Sequence, residues 1–567
     1  MIDVPVLVVG GGPVGLTTAF ALQKRNIRVV VVERNPTTTR HPKMDVTNGR
    51  SMEHFRRLGI ADRIRDIAVP RDHCMDVAWV TRLSEWELAR FEYANVHEWR
   101  DDIRARNDGS QALEPNMRLS QVVLEPALRD ILETCPLVDL RFGWAFVSLT
   151  QDAEGVTATI RNTATGTTET VRCALLAGCD GGSSQVRDSL GFSCTGKWNV
   201  LPFYMVHFRT PSKDLMQRHG QAWHYQSPVG GTLIAQDDEE IYTLHNLIPP
   251  GVDPKSIEPK RFLFDSLGVD FPCEVIQANP WCPHLVVADH FGSERVWLAG
   301  DSTHQFIPTG GYGMNTGIGD AVDVAWKFAA TLQGWGGPQL LATIESERRP
   351  VALRNVEEAS ENLRRMLSPR LKLSSAVFEN GAAGDAARKE FGDAYTEMMK
   401  REWFTLHMHL GYIYEDSPII WADGTPAPDD PVMTYTQTAR PGSRAPHVWL
   451  SSGRSTLDLF GREFVLLKLD TRLHVSPFVQ AAERRNVPFK VVELERSEVK
   501  SCYGSKLVLV RPDGFVCWRS DKVPANPLGV IDRVRGEVTA QVRKNASLQE
   551  RAGETSTGTL VDIADSP

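Results

Sequence analysis

The stretch Val4–Asn35, VPVLVVGGGPVGLTTAFALQKRNIRVVVVERN, constrains this chain more than any other segment. An apolar run stops at Gly10, Gly12 and Gly15, spaced G-x-G-x-x-G, with Pro13 placed for a first helical turn. The first glycine permits a tight strand-to-helix turn, the second lets a pyrophosphate approach the backbone, and the third lets the helix lie close to the sheet. The helix N-terminus then offers free N–H groups and a positive dipole to phosphate. A second apolar strand closes on Glu33, followed by Arg34, at the separation expected of an acid that binds a ribose hydroxyl. The chain therefore binds a dinucleotide here, and NAD and FAD fit equally well.

At 567 residues the chain exceeds what one hydrophobic core supports, so a multidomain protein is expected. Its formal charge of -8 is spread without long runs of one sign, which argues against nucleic acid or an anionic membrane as partner. No stretch approaches the roughly 18 consecutive apolar residues of a membrane span. The first apolar run leads straight into the glycines, so it reads as the first strand of a cytoplasmic protein and not as a signal peptide. Nine scattered cysteines without a CxxC pair read as reduced thiols, with no metal site.

Two distant segments choose between the dinucleotides. In ALLAGCDGGSSQVRDSLGF a buried strand ends at a turn containing Asp180 and Gly181, and a helix start follows. In RVWLAGDSTHQFIPTGGYGMNTGIGDAVDVAWKFA another buried strand closes on Gly300-Asp301, an acid suited to a ribityl or ribose hydroxyl. After Pro308 come Gly310, Gly311 and Gly313, then Met314 and Asn315, at the start of a long helix. A helix N-terminus aimed at a flavin would stabilise the negative charge of its reduced ring, and glycine is needed where backbone lies against a flat ring face.

These three ordered motifs resemble those of the class A flavoprotein monooxygenases, the p-hydroxybenzoate hydroxylase-like aromatic hydroxylases, and the resemblance runs over essentially the whole chain. It implies a tightly held, non-covalent FAD whose ADP half sits on the first glycine loop and Glu33. It places Asp180-Gly181 at both the FAD and the NAD(P)H path, Asp301 on the ribityl chain, and Pro308 to Asn315 beside the ring. It adds Gln121, with Arg118 nearby, in the phosphate and ribose region. The family's usual HPRA is here HPKMD, so Lys43 stands in the arginine's place, keeping the charge but losing the bidentate fork. GDAAH is here GDSTH, and His304 reads as a packed, hydrogen-bonded histidine.

The expected fold class is α/β: a Rossmann-like FAD-binding domain interleaved with a mainly β substrate domain, plus a C-terminal thioredoxin-like α/β domain. FAD-binding parts are expected at 1–73, 105–195 and 291–365, and substrate-domain parts at 74–104 and 196–290. A helical region and linker follow at 366–430, then the thioredoxin-like domain at 431–545 and a mobile tail at 546–567. Where an active thioredoxin carries CxxC this chain reads TRLHVS, so the domain is no dithiol redox unit.

The implied function is hydroxylation of a phenolic or other electron-rich aromatic by FAD, NADH or NADPH, and O2 through a flavin C4a-hydroperoxide. The expected partners are therefore a small aromatic substrate and, as an open matter, a second copy of the chain. Alternating aromatic and apolar residues between the second and third motifs suit a sheet that roofs a flat ligand. Among Phe203, Tyr204, His207, Trp223, His224, Tyr225, Tyr242 and His245, the candidates for pocket or base are His224, Tyr225 and Tyr242, beside Pro308 and Gly311 at the ring. Period-two alternation puts only some of them on the ligand face. The rival readings are a Baeyer–Villiger oxygenase acting on a polycyclic ketone, a flavin dehydrogenase, and a non-catalytic binding protein of the same fold.

Overall fold

The computed structural model describes residues 2–368, 373–450 and 453–537; the tail expected at 546–567 lies outside them. Its first layer is a parallel sheet in the order Val296–Leu298, Thr168–Gly178, Ile2–Val9, Val29–Glu33, Val138–Phe142. The last of these strands, VDLRF, carries too weak an apolar signal to be read from sequence and takes the sheet edge. Successive residues of the central strands feed two cores. Val6, Val8, Val29, Val31, Leu175 and Ala177 face the helices, while Leu7, Val9, Val30, Val32 and Leu176 face the hairpin Trp144–Gln151/Val156–Asn162. Burial on both faces is why these strands are continuously apolar.

The helical side is built from α1 (Pro13–Gln23), α2 (Gly49–Leu58) and α3 (Tyr312–Leu332). α3 is buried almost all round, as its run of apolar and small residues requires. It is followed by α4 (Thr343–Leu367) and α5 (Ala382–Trp403). None of the described helices is long and apolar enough to cross a membrane.

A seven-stranded sheet forms a second layer, in the order Glu274–Trp281, Phe203–Arg209, Ile241–Leu247, Gly231–Ala235, His224–Ser227, Val77–Val80, Glu87–Phe91. Its two faces differ sharply. Tyr204, Val206, Phe208, Tyr225, Leu233, Tyr242 and Leu244 pack against Leu263 and Leu267 of the helix Pro259–Leu267. The opposite face is mixed, with His207, Thr243, His245, Thr232, His224 and Gln226 in the central strands and Val77 and Trp79 beside them packed on α5, and its central part is turned to the first layer.

The C-terminal domain holds a mixed sheet in the order Phe489–Glu493, Phe464–Lys468, Leu507–Val510, Val516–Ser520, with the helices Ser476–Arg484 and Pro527–Val534 packed against it. One face of the sheet packs within the domain, through Val465, Leu467, Val499, Tyr503, Val508 and Val510, and the other does not. Phe464, Leu466, Phe515 and Trp518 share one cluster with Trp326 and Ala330 of α3 and Val351 of α4. Beneath that cluster Arg511 grips Glu347 of α4 at 2.6 and 2.9 Å, and Lys327 of α3 bridges Asp323 and Glu347 at 2.8 Å each. Desolvation works to raise the Glu347 carboxyl, but Arg511 and Lys327 outweigh it and hold it below the ordinary glutamate range. All four side chains are at most 2% exposed. Arg511→Ala would leave buried carboxylates short of a cation, a loss of about 3–5 kcal/mol. The expected result is a clear fall in the urea midpoint of the full-length protein; an unchanged midpoint would contradict the bracing role of this cluster.

Candidate functional site

The first glycine turn is held by its own geometry. Gly10 has φ +113°, and a Cβ there would lie 2.2 Å from the Cys179 carbonyl oxygen. A Cβ on Gly15 would lie 2.0 Å from the Gly10 carbonyl oxygen. Both positions therefore admit only glycine. α1 begins at Pro13 with Gly12 as N-cap, without a side-chain cap and without an acid in its first turn. Its leading N–H groups are thus left for an anion.

Glu33 ends its strand and accepts hydrogen bonds from the Gly11 N–H at 2.8 Å and the Asn35 N–H at 2.9 Å. Arg34 and Lys43 are exposed. Gln121 donates to Glu125 at 2.6 Å, and its backbone N–H donates to the Met44 carbonyl. Burial pushes the Glu125 carboxyl up, against the pull of Gln121 and of the Thr39 N–H. Asp180 accepts from the Ser184 hydroxyl at 2.5 Å and the Val186 N–H at 3.1 Å. Gly181 beside it has φ +83°.

The third motif is organised by a residue that sequence reasoning passed over. The Asp320 carboxylate of α3 accepts from the Gly300 N–H at 3.0 Å and the His304 Nε2 at 2.8 Å, while Arg348 of α4 donates to it at 2.6 Å. Burial would raise this carboxyl; Arg348 and His304 overcome that and hold it at about 2. Asp320 thereby fixes the Gly300-Asp301 turn against α3. His304 is fully buried and stacked on Phe306, a packed histidine as expected. Asp301 opens outward, and surrounding protein still pushes its carboxyl up by desolvation.

Gly311 caps α3 at φ +65°, again without a side-chain cap or a first-turn acid, and a Cβ on Gly313 would meet nothing within 4 Å. Pro308 is exposed beside them, and Met314 packs on the core below. The Asn315 side chain is spent on backbone: Oδ1 accepts from the Asn48 N–H at 2.9 Å, and Nδ2 donates to the Val46 and Gly311 carbonyls. Segment 41–48 is thereby sewn to the start of α3. The starts of α1 and α3 meet where Cβ positions on Gly300 and Gly317 would lie 2.9 and 2.6 Å from Val14. Two uncapped helix N-termini, acids at strand ends and a glycine-lined wall form a cradle whose donor set fits FAD.

Across from this cradle lies the central part of that mixed sheet face. Read across the strands, its central rows are His207, Thr243, Ile234, His224 and Met205, His245, Thr232, Gln226. His224 donates from Nε2 to Asp45 Oδ2 at 3.0 Å, and Trp223 donates to the same oxygen at 2.7 Å. Gln226 meets the other His224 nitrogen at 3.2 Å, and Trp403 at the end of α5 packs edge-on to both His224 and Trp223. Burial drives the His245 imidazole down to about 4 and lowers His207 as well, so both are neutral near pH 7.

Three expected site residues are placed elsewhere. Tyr225 and Tyr242 point away from the cradle, because alternation along their strands puts them on the apolar face; Tyr225 donates to the Gly220 carbonyl at 2.7 Å. Arg118 is not left for phosphate. It is 3% exposed, forks onto Asp238 at 2.6 and 2.7 Å, and donates to the Ala235 and Cys74 carbonyls, tying the two domains together. Asp45, Asp320, Arg348 and Asp238 were not singled out by the motifs, and only Asp45 left a sequence trace, as part of the irregular HPKMD.

Fold and cradle define a flavoprotein. Residues 3–359 match the model of the FAD binding domain family, and residues 438–537 match the aromatic-ring hydroxylase C-terminal family. The chain is 35% identical to the FAD-dependent monooxygenase apdD of Emericella nidulans, covering 96% of this chain and 92% of that one. It is 31% identical to the 4-methyl-5-nitrocatechol 5-monooxygenase of a Burkholderia species, covering 93% and 96%. Among solved structures it resembles RebC with bound 7-carboxy-K252c, at TM-score 0.87 and 36% identity over 95% of this chain and 100% of that one. It also resembles aklavinone-11 hydroxylase in complex with FAD and aklavinone, at TM-score 0.76 and 29% identity over 94% and 99%. The chain belongs to the family of FAD-dependent aromatic-ring monooxygenases.

Gly15→Ala tests the cradle. The forced gap at the Gly10 carbonyl is expected to yield a folded protein, by far-ultraviolet circular dichroism, that lacks the visible flavin bands after dialysis. A variant that retains stoichiometric FAD would contradict the assignment.

Proposed function

We propose that the cleft between the central part of the mixed sheet face, segment 41–48 and the start of α3 is where this FAD-dependent monooxygenase hydroxylates a phenolic or other electron-rich aromatic ring. The observation that carries the reading is the convergence of three things on one cleft: the glycine-lined wall at Gly311 and Gly313, the open Asp301, and a sheet face rich in neutral hydrogen-bonding groups. Within it, the turn Gly10–Gly15, Glu33 and Gln121 would hold the ADP half of FAD, Asp301 the ribityl chain, and the N–H groups opening α3 the edge of the ring where charge develops.

Bound FAD supplies the redox chemistry, drawing hydride from NADH or NADPH and activating O2. The protein's share is orientation and dryness. Trp223, Trp403 and Met205 offer apolar surface to a flat ring, while His224, His245 and Thr232 offer donors and acceptors that fix its substituents. Closing such a face over the cofactor excludes water that would divert the oxidising equivalent. The intact cradle and the family's catalytic relatives disfavour a non-catalytic binding protein, and ring hydroxylases among those relatives disfavour a Baeyer–Villiger oxygenase. All nine cysteines are free, which fits a reducing, cytoplasmic setting.

The test is product analysis. Purified protein with FAD is supplied with NADH or NADPH and, separately, 2,4-dichlorophenol, 1-naphthol and 1-hydroxyanthraquinone. Anaerobic NAD(P)H is expected to bleach the flavin faster with an accepted aromatic present, and aerobic turnover to add one oxygen atom to the ring. NAD(P)H oxidation without hydroxylated product from any of them would contradict the reading.

A further inference from the structure

The carboxyl of Glu125 stands at an anion site without a cation of its own. Glu125 lies on the helix Gln121–Glu133, one turn past Gln121, and is 4% exposed. Its Oε1 accepts from the Gln121 amide at 2.6 Å and its Oε2 from the Thr39 N–H at 2.7 Å, so uncharged donors hold both oxygens. The charges that face it are Lys43, exposed on the segment across from it, and Glu33 at the end of the neighbouring strand, and these act in opposite directions. Arg129, one turn on in its own helix, is committed to Glu133 at 2.8 Å. The place of Glu125 in the turn gives it meaning. Gly12 is the N-cap of α1, and a Cβ built on it would meet, beyond its chain neighbours, a single atom of the described residues within 4 Å, the Glu125 Oε1 at 3.9 Å. The space in front of the second glycine is otherwise open, and Glu125 bounds it.

We infer that Glu125 takes up a proton from solvent when FAD binds and donates it, from Oε1, in a hydrogen bond to the pyrophosphate. The inference rests on the proposed seat of the pyrophosphate at Gly10–Gly15. A pyrophosphate there brings two negative charges against a carboxyl that burial already pushes toward its neutral form. An ionised Glu125 would repel it in a desolvated site, whereas a neutral one supplies a donor to a phosphoryl oxygen. The protonated group keeps its partners, because Oε1 retains a lone pair for the Gln121 amide and Oε2 still accepts from Thr39. Gln121 and Thr39 are positioning residues that hold the carboxyl beside Gly12. The sign of the pH dependence follows. A carboxyl whose pKa is higher in the complex than in the free protein leaves FAD affinity at full strength at low pH. It takes affinity away as pH climbs from the first value to the second, by up to about tenfold per pH unit. Asp180 and Asp301 are further carboxyls of the cradle that burial pushes up, so the share of Glu125 is read by difference.

The experiment compares wild type with Glu125→Gln, whose amide keeps the shape and stands for the un-ionised acid. Full-length proteins freed of FAD are titrated with it by calorimetry in buffers of different ionisation enthalpy, from about pH 5 to about pH 9. Wild type is expected to take up more protons per FAD than the variant, by as much as about one, and to lose about tenfold more affinity than the variant across that range. On the FAD-loaded proteins, the infrared spectrum of wild type minus that of the variant is expected to contain the carbonyl stretch of an un-ionised carboxyl. A merely structural Glu125 would weaken FAD binding in the variant at every pH alike and leave proton uptake unchanged. Equal proton uptake by the two proteins, or a difference spectrum without that carbonyl band, would overturn the inference. Wild type alone refutes it if FAD binds without proton uptake at every pH tested. A Gly15→Ala protein that keeps its FAD would instead strike at the seat of the pyrophosphate itself.

Discussion

The Asp320 carboxylate is the constraint on which the rest of the site depends. One side chain, nearly inaccessible to solvent, joins the turn after the Val296–Leu298 strand, the imidazole of His304, the guanidinium of α4 and the body of α3. A carboxylate buried this deeply is stable only when fully paired, so the partners are locked in one arrangement. The consequence for function is geometric. Asp301 and the free N–H groups at the start of α3 belong to different elements, yet their relation is set by a shared ligand between them. A cofactor bound by both therefore meets a preorganised surface.

The far end of α3 is held with equal care. Trp326 and Ala330 enter the core of the C-terminal domain, and Lys327 enters its buried ion cluster with Arg511. This gives a physical role to a domain whose two cysteines, Cys502 and Cys517, are unpaired. It fills the outer flank of the helix whose inner end lines the cleft, and Arg444 reaches Glu53 of α2 to make a second tie. Apolar burial supplies most of the adhesion, while the ion clusters set the register between the parts.

Legibility in the sequence followed the range of the physics involved. The glycine turns at Gly10–Gly15 and Gly310–Gly313 are local steric requirements, so spacing reveals them, and four of the five parallel strands announce themselves by unbroken apolar runs. The seven-stranded sheet was legible only as alternation. Whether His224 or Tyr225 faces the ligand depends on which side the FAD-binding layer packs, and that is decided by contacts such as Arg118 with Asp238, 120 residues apart. Arg118 itself looked like a phosphate ligand because a charge near a motif carries no label for its partner. Asp45 showed only as an irregular HPKMD, and its meaning required Trp223 and His224, distant in sequence, to be seen on the same oxygen.

The most direct test of this account is the affinity for FAD of an Asp320→Asn variant, titrated by the change in flavin absorbance against wild type. The substitution keeps the shape and removes the charge that Arg348, His304 and the Gly300 N–H share. The account requires FAD binding at least tenfold weaker in a protein that still folds, because Asp301 and the opening of α3 would no longer be held in register. An Asp320→Asn protein that binds FAD as tightly as wild type would contradict it.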